Sequence, residues 1–115
     1  MVQRGEYGES LAQAYLEQHG VRVLERNFRF HHGEIDIIAE EGDVLIFCEV
    51  KTRFSGTFGP PELAVTAQKQ RQIRKIAGAY LVTHRIRDRI CRFDVVAVRV
   101  DNGIASVQYL RDAFR

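Results

Sequence analysis

Ile35–Ala39 and Val44–Lys51 are two short apolar runs separated only by Glu40-Glu41-Gly42-Asp43, a pattern that predicts an antiparallel hairpin. Side chains alternate along a strand, so Leu45, Phe47, Glu49 and Lys51 share one face and Ile46, Cys48 and Val50 the other. Glu49 and Lys51 then stand about 7 Å apart on one side of the strand. A carboxylate and an ammonium ending an apolar strand are costly to bury without partners. The hairpin supplies one, because Asp36, thirteen residues before Glu49, can lie beside it on the neighbouring strand.

The rest of the chain reads as elements that would pack around this hairpin. From about Gln3 to Gln18, Leu11, Ala12, Tyr15 and Leu16 recur at helical spacing, and His19-Gly20 supplies a C-terminal stop. Val21–Phe30 is β-branched and aromatic enough for a strand. Residues from Phe54 to Pro61 read as a mobile loop, after which Thr66 can cap a helix lasting to about Thr83. Its apolar stripe is Ile73, Ile76, Ala77, Tyr80 and Leu81, with Arg71, Arg74 and Lys75 mainly on other faces. Phe93–Val100 has the apolar continuity of a strand covered on both faces, and Asp101-Asn102-Gly103 predicts a tight turn into a last strand, Ala105–Leu110. Helix, three strands, helix, two strands implies a single α/β (α+β) domain over residues 1–115 with a mixed sheet of about five strands and two flanking helices.

Charge is segregated along the chain. Residues 1–50 carry 4 basic and 10 acidic side chains, net −6, whereas residues 51–115 carry 13 and 5, net +8. Leu63 to Arg87 contains no acid. A divalent cation suits the first half and a polyanion such as DNA the second. With 45% apolar residues the chain should fold; Cys48 and Cys91 have no disulfide or zinc spacing and are expected to be buried apolar side chains. No apolar run approaches the roughly 18 residues of a membrane span, and Met1 to Glu6 lacks a signal-peptide pattern, so a soluble cytoplasmic protein without membrane contact is expected.

Two adjacent carboxylates repel, and a hard divalent cation such as Mg²⁺ or Mn²⁺ relieves that repulsion with oxygen ligands. Asp36 and Glu49 as ligands, with Lys51 beside the attacking water, would make a phosphodiester-hydrolysing site. Glu49-Val50-Lys51 alone is weak, since roughly one acid-x-Lys match arises by chance in a chain this long. Its force comes from strand register, from Asp36 and from the basic helix that follows. Lys69, Gln70, Arg71, Arg74, Lys75 and Arg53 are the candidate substrate contacts, mainly to phosphates.

Asp36 followed by Glu49-x-Lys51 resembles the motif of the PD-(D/E)xK nuclease superfamily. Gly5-x-x-Gly8-Glu9-x-x-Ala12, Gly33-Glu34-Ile35-Asp36, Glu49-Val50-Lys51-Thr52-Arg53, Phe58-Gly59-Pro60, Lys69-Gln70-Arg71 and Arg92-Phe93-Asp94-Val95-Val96 together resemble the YraN-like family of small bacterial proteins, predicted nucleases similar in fold to archaeal Holliday-junction resolvases. The resemblance implies a restriction-endonuclease-like fold, Mg²⁺ or Mn²⁺, DNA as substrate, branched or flapped structures among the candidates, and a homodimer. It also implies a place for Glu9 at the metal, where the residues alone leave either a ligand or a solvated helix acid.

Other positions have plainer readings. Glu34 shares a strand face with Asp36 and either supports or replaces it. His31-His32 is expected at an exposed strand end, Arg92 and Asp94 as a structural ion pair, and Gly5 and Gly8 as close-packing positions in the first helix. Gln70 lies on the stripe of Ile73 and Ala77 and could point at the site, with Lys69 as its competitor. A non-cutting nucleic-acid or protein binding module on the same scaffold, or a hydrolase of small phosphate esters, would use the same acids.

Overall fold

A computed structural model describes residues 4–54, 59–60 and 64–115. Its elements run α1 (Arg4–Gln18), β1 (Arg22–Phe30), β2 (Gly33–Glu41), β3 (Val44–Phe54), α2 (Ala67–Thr83), β4 (Cys91–Asp101) and β5 (Ile104–Phe114). The five strands form one sheet in the order β1-β2-β3-β4-β5. All neighbours are antiparallel except β3 and β4, which are parallel because α2 carries the chain across between them. The mixed sheet and two helices are those the sequence predicts. Gln3, residues 55–58 and Pro61 lie outside the described residues, and Phe54, expected to open the loop, is instead the last residue of β3.

Each boundary has a local cause. Gly20 takes φ +84° and lets the N–H of Val21 donate back to the carbonyl of Leu16 at 3.0 Å, closing α1. The Thr66 side chain accepts from the N–H of Lys69 at 3.1 Å, the expected N-cap of α2. Asn102 and Gly103 both have positive φ, as a two-residue turn between twisted strands requires.

Each face of the sheet carries a buried core. Ala12 and Leu16 of α1 pack on Ile37, Ala39, Ile46, Cys48, Val96 and Val98. Ile73, Ile76, Ala77 and Tyr80 of α2 pack on Ile35, Ile38, Leu45, Phe47 and Val95. Leu45, Phe47, Ile46 and Cys48 thus divide between the faces as alternation predicts. Cys91, expected to be buried, is only half-buried because it opens β4 beside the exposed Ile90. No described helix is long and apolar enough to cross a membrane.

Gly8 and Gly5 part company. A Cβ on Gly8 would lie 1.9 Å from Thr52 Oγ1, so this glycine lets α1 seat on β3. A Cβ on Gly5 would meet nothing within 4 Å among the described residues, so it is not a packing position.

Candidate metal centre

The centre forms where β2 and β3 separate. Their ladder ends at Ile37 paired with Cys48. Regular pleating would put Ile35 and Ile37 on one face, yet Ile35 packs on the α2 side and Ile37 on the α1 side. The alternation breaks at Asp36, whose carboxylate accepts the N–H of Val50 at 2.8 Å in place of a ladder hydrogen bond. Asp36 and Glu49 end up buried against each other.

Three elements contribute acids. Oxygens of Glu9 (α1), Glu34 and Asp36 (β2) all lie within 4.8 Å of one another, and Glu49 (β3) shares a hydrogen bond with Asp36. Burial, and next the Glu49 carboxyl hydrogen-bonded to it, push Asp36 up to about 8, against the opposing pull of the Val50 N–H. Burial also raises Glu9; the side-chain amide of Asn27, donating to Glu9 Oε1 at 2.8 Å, pulls it back, and the Asp36 charge raises it again. Arg26 lies 3.5 Å from Glu9, and Lys69 places Nζ 3.7 Å from Glu49 Oε2. These cations leave Asp36 facing like charge. Hard oxygen donors crowded beyond what the neighbouring cations balance are the donor set that Mg²⁺ or Mn²⁺ takes, so the residues fit such an ion.

Glu9, Asp36, Lys51 and Arg53 line a single cavity of about 410 Å³, with Gly5, Thr52 and Phe54 at its wall. Among the substrate-contact candidates, Arg53 lines this cavity and Lys69 reaches Glu49. Gln70 turns its amide to the carbonyl of Val65 at 3.1 Å and serves the entry to α2. Arg74 donates to the carbonyl of Arg115 at 2.9 Å, and Arg71 and Lys75 are exposed on α2; none of the three is among the described residues lining the cavity.

The plainer readings hold for most other positions. His31 and His32 are exposed at the turn from β1 to β2. Asp94, fully buried, accepts from Arg92 Nε and Nη2 at 2.9 Å each, from the N–H of Asp112 at 2.9 Å and from the Tyr109 hydroxyl. Glu34 proves a member of the acidic group, and its place two residues before Asp36 was the signal for it. Asn27 was missed altogether; it takes φ +55° within β1, which only the fold discloses.

The family model described as "Uncharacterised protein family UPF0102" matches residues 8–98. A UPF0102 protein of Geobacter metallireducens is 49% identical over 110 residues, spanning 96% of this chain and 90% of its own. One of Syntrophus aciditrophicus is 47% identical over 113 residues, 98% of this chain and 89% of its own. Another, CPE1705 of Clostridium perfringens, is 42% identical over 113 residues, 96% of this chain and 93% of its own. With the family pattern matched across both helices and four of the strands, and relatives alike over nearly their full length, the chain belongs to the uncharacterised protein family UPF0102, the YraN family.

Proposed function

We propose that this protein is a metal-dependent nuclease that hydrolyses phosphodiester bonds of DNA. The observation that carries the reading is the convergence of Glu9, Glu34 and Asp36 within 4.8 Å, with Glu49 against Asp36 and Lys51 in the same cavity. Glu9, Glu34, Asp36 and Glu49 would hold Mg²⁺ or Mn²⁺. The ion would supply polarisation of the phosphate and neutralisation of developing charge.

The chain's own groups do the rest. Lys51 is an ammonium at the cavity wall, placed to orient the attacking water by hydrogen bonding and to balance charge on the phosphate. Lys69 screens Glu49 from the side of α2. Val50 holds the Asp36 carboxylate in one orientation through its backbone N–H. Arg53 and the first turns of α2 offer cations to flanking phosphates.

The test is incubation with Mg²⁺ or Mn²⁺ and a panel of labelled single-stranded, duplex, flapped and four-way DNAs, with Lys51→Ala beside wild type. Metal-dependent cleavage lost in the variant is the expected result. Binding of DNA with no cleavage of any panel member would overturn the nuclease reading in favour of a non-cutting binding module.

A further inference from the structure

The two faces of β4 are covered unequally. Val96 and Val98 are buried under α1, whereas on the opposite face α2 packs on Val95, and Ala97 and Arg99 beyond it line an opening together with Gly59, Pro60, Ala64 and Thr66. Register brings four more residues to that opening. Lys51 pairs with Ala97 and Arg53 with Arg99 across β3 and β4; Gln108 pairs with Ala97 and Ser106 with Arg99 across β4 and β5. These six side chains share one face of three adjacent strands and line a groove of about 610 Å³.

Chemistry restricts what the groove accepts. Lys51, Arg53 and Arg99 are cationic, Ser106 and Gln108 are neutral hydrogen-bonding groups, and no carboxylate lines the groove among the described residues. Lys51 and Arg53 also line the cavity that holds Glu9 and Asp36. The groove therefore starts where the metal centre ends. A polymer with one phosphate at the acids would have its next phosphate against Arg53.

Dimensions and lining then separate strand types. From β3 to β5 is about 10 Å, two inter-strand spacings, the width of one nucleic-acid strand. A duplex keeps its bases stacked inside and offers a groove like this only phosphates. The uncharged floor of Ala97, Ser106 and Gln108 is matched only by a strand whose bases and sugars are free to descend onto it.

We propose that this groove holds an unpaired nucleic-acid strand next to the phosphate at the metal centre, so that the substrate carries a single-stranded arm. The proposal rests on the nuclease reading above and narrows its substrate class. Ser106→Glu with Gln108→Glu tests it, since both positions are exposed and the pair sets two carboxylates against the groove's cations. Fluorescence anisotropy in chelator, with a labelled single strand of about 12 nucleotides and a blunt duplex of the same sequence, should show about tenfold weaker single-strand binding and little change for duplex.

Ser106→Thr with Gln108→Asn should bind like wild type, and Gln108→Glu alone, read in the same way, replaces the double variant if that one melts early. Equal loss on both DNAs, no loss on single strand, or competition by poly-glutamate as strong as by the oligonucleotide would each overturn the groove. Flap cleavage in Mn²⁺ undiminished by the double variant would also overturn it while leaving the nuclease standing. Groove-dependent single-strand binding with no cleavage of any panel member would instead overturn the nuclease reading and leave the groove.

Discussion

Asp36 accepts the backbone N–H of Val50 at 2.8 Å, one residue past the point where the β2–β3 ladder stops at Ile37 and Cys48. That single hydrogen bond satisfies a donor the parting strands would otherwise leave bare. It also anchors one carboxylate oxygen while the other groups of the cluster gather around it. A buried carboxylate held in this way, amid like charge, has consequences for stability as well as chemistry.

The first concerns pH. Without metal, the folded protein keeps a proton on Asp36 from its ordinary value of 3.8 up to about 8, where the unfolded chain has lost it. The native state binds more protons across that window, so the contribution is fully present below the lower value and disappears as pH rises through the upper. Asp36→Asn removes this slope and keeps an oxygen for Val50. In chelator near pH 8 the variant should melt at or above wild type, and thermal melts from about pH 5 to about pH 8 should be flatter. A variant melting clearly lower throughout would assign Asp36 a purely structural role.

Metal should reverse that ranking. An ion that binds only the folded state stabilises it by about 2.7 kcal/mol at a hundred times its dissociation constant. Mn²⁺ should therefore raise the melting temperature of wild type and of Lys51→Ala, leave Asp36→Asn nearly unmoved and raise Glu34→Gln less than wild type. An equal shift in all four proteins would remove these acids from the ion's coordination.

Gly8 and Gly5 make a matched pair. Gly8→Ala forces a Cβ into Thr52 and should cost about 1–3 kcal/mol, recovered largely by adding Thr52→Ala. Gly5→Ala meets open space and should be neutral or stabilising by up to about 1 kcal/mol. Urea denaturation of the three variants decides, and equal destabilisation by both glycine substitutions would contradict the packing of α1 on β3.

Asp94 should matter for folding alone. Asp94→Ala strands Arg92, the Tyr109 hydroxyl and the Asp112 N–H, and breaking a buried charge pair of this kind costs about 3–5 kcal/mol. Tyr109→Phe removes one donor and should cost about 1–2 kcal/mol. The Mn²⁺ shift of Tyr109→Phe should match that of wild type; its loss would connect this network to the metal centre.

Much of this was legible residue by residue. The stripes of α1 and α2, the Thr66 cap, the Asn102-Gly103 turn and the alternation from Leu45 to Cys48 are local consequences of periodicity and turn chemistry, and the structure keeps them. The juxtaposition of Asp36 and Glu49 was allowed by the hairpin but not fixed by it: a turn over all of Glu40–Asp43 would set Asp36 opposite Phe47, and it is the observed pairing of Glu41 with Val44 that brings it beside Glu49. The segregation of charge was less informative than it looked. Glu40 is bound by Arg22 and Arg89 and Glu41 by Arg92 and Arg111, so part of the basic half is spent on the acidic one. Arg74 and Gln70 likewise turn to carbonyls that no spacing rule would identify.

By itself, then, the sequence determined the order of elements and the hairpin that carries both acids, because those depend on neighbours within a few residues or across one turn. Only the tertiary structure decided that Glu34 and Glu9 join Asp36, that Lys69 rather than Gln70 meets Glu49, and that the strands beyond Lys51 form a groove. Each depends on where two helices settle on a twisted sheet. That placement is set by the packing of Gly8 on Thr52 and of Ile73, Ile76 and Tyr80 over Phe47 and Ile35, contacts between segments far apart in the chain.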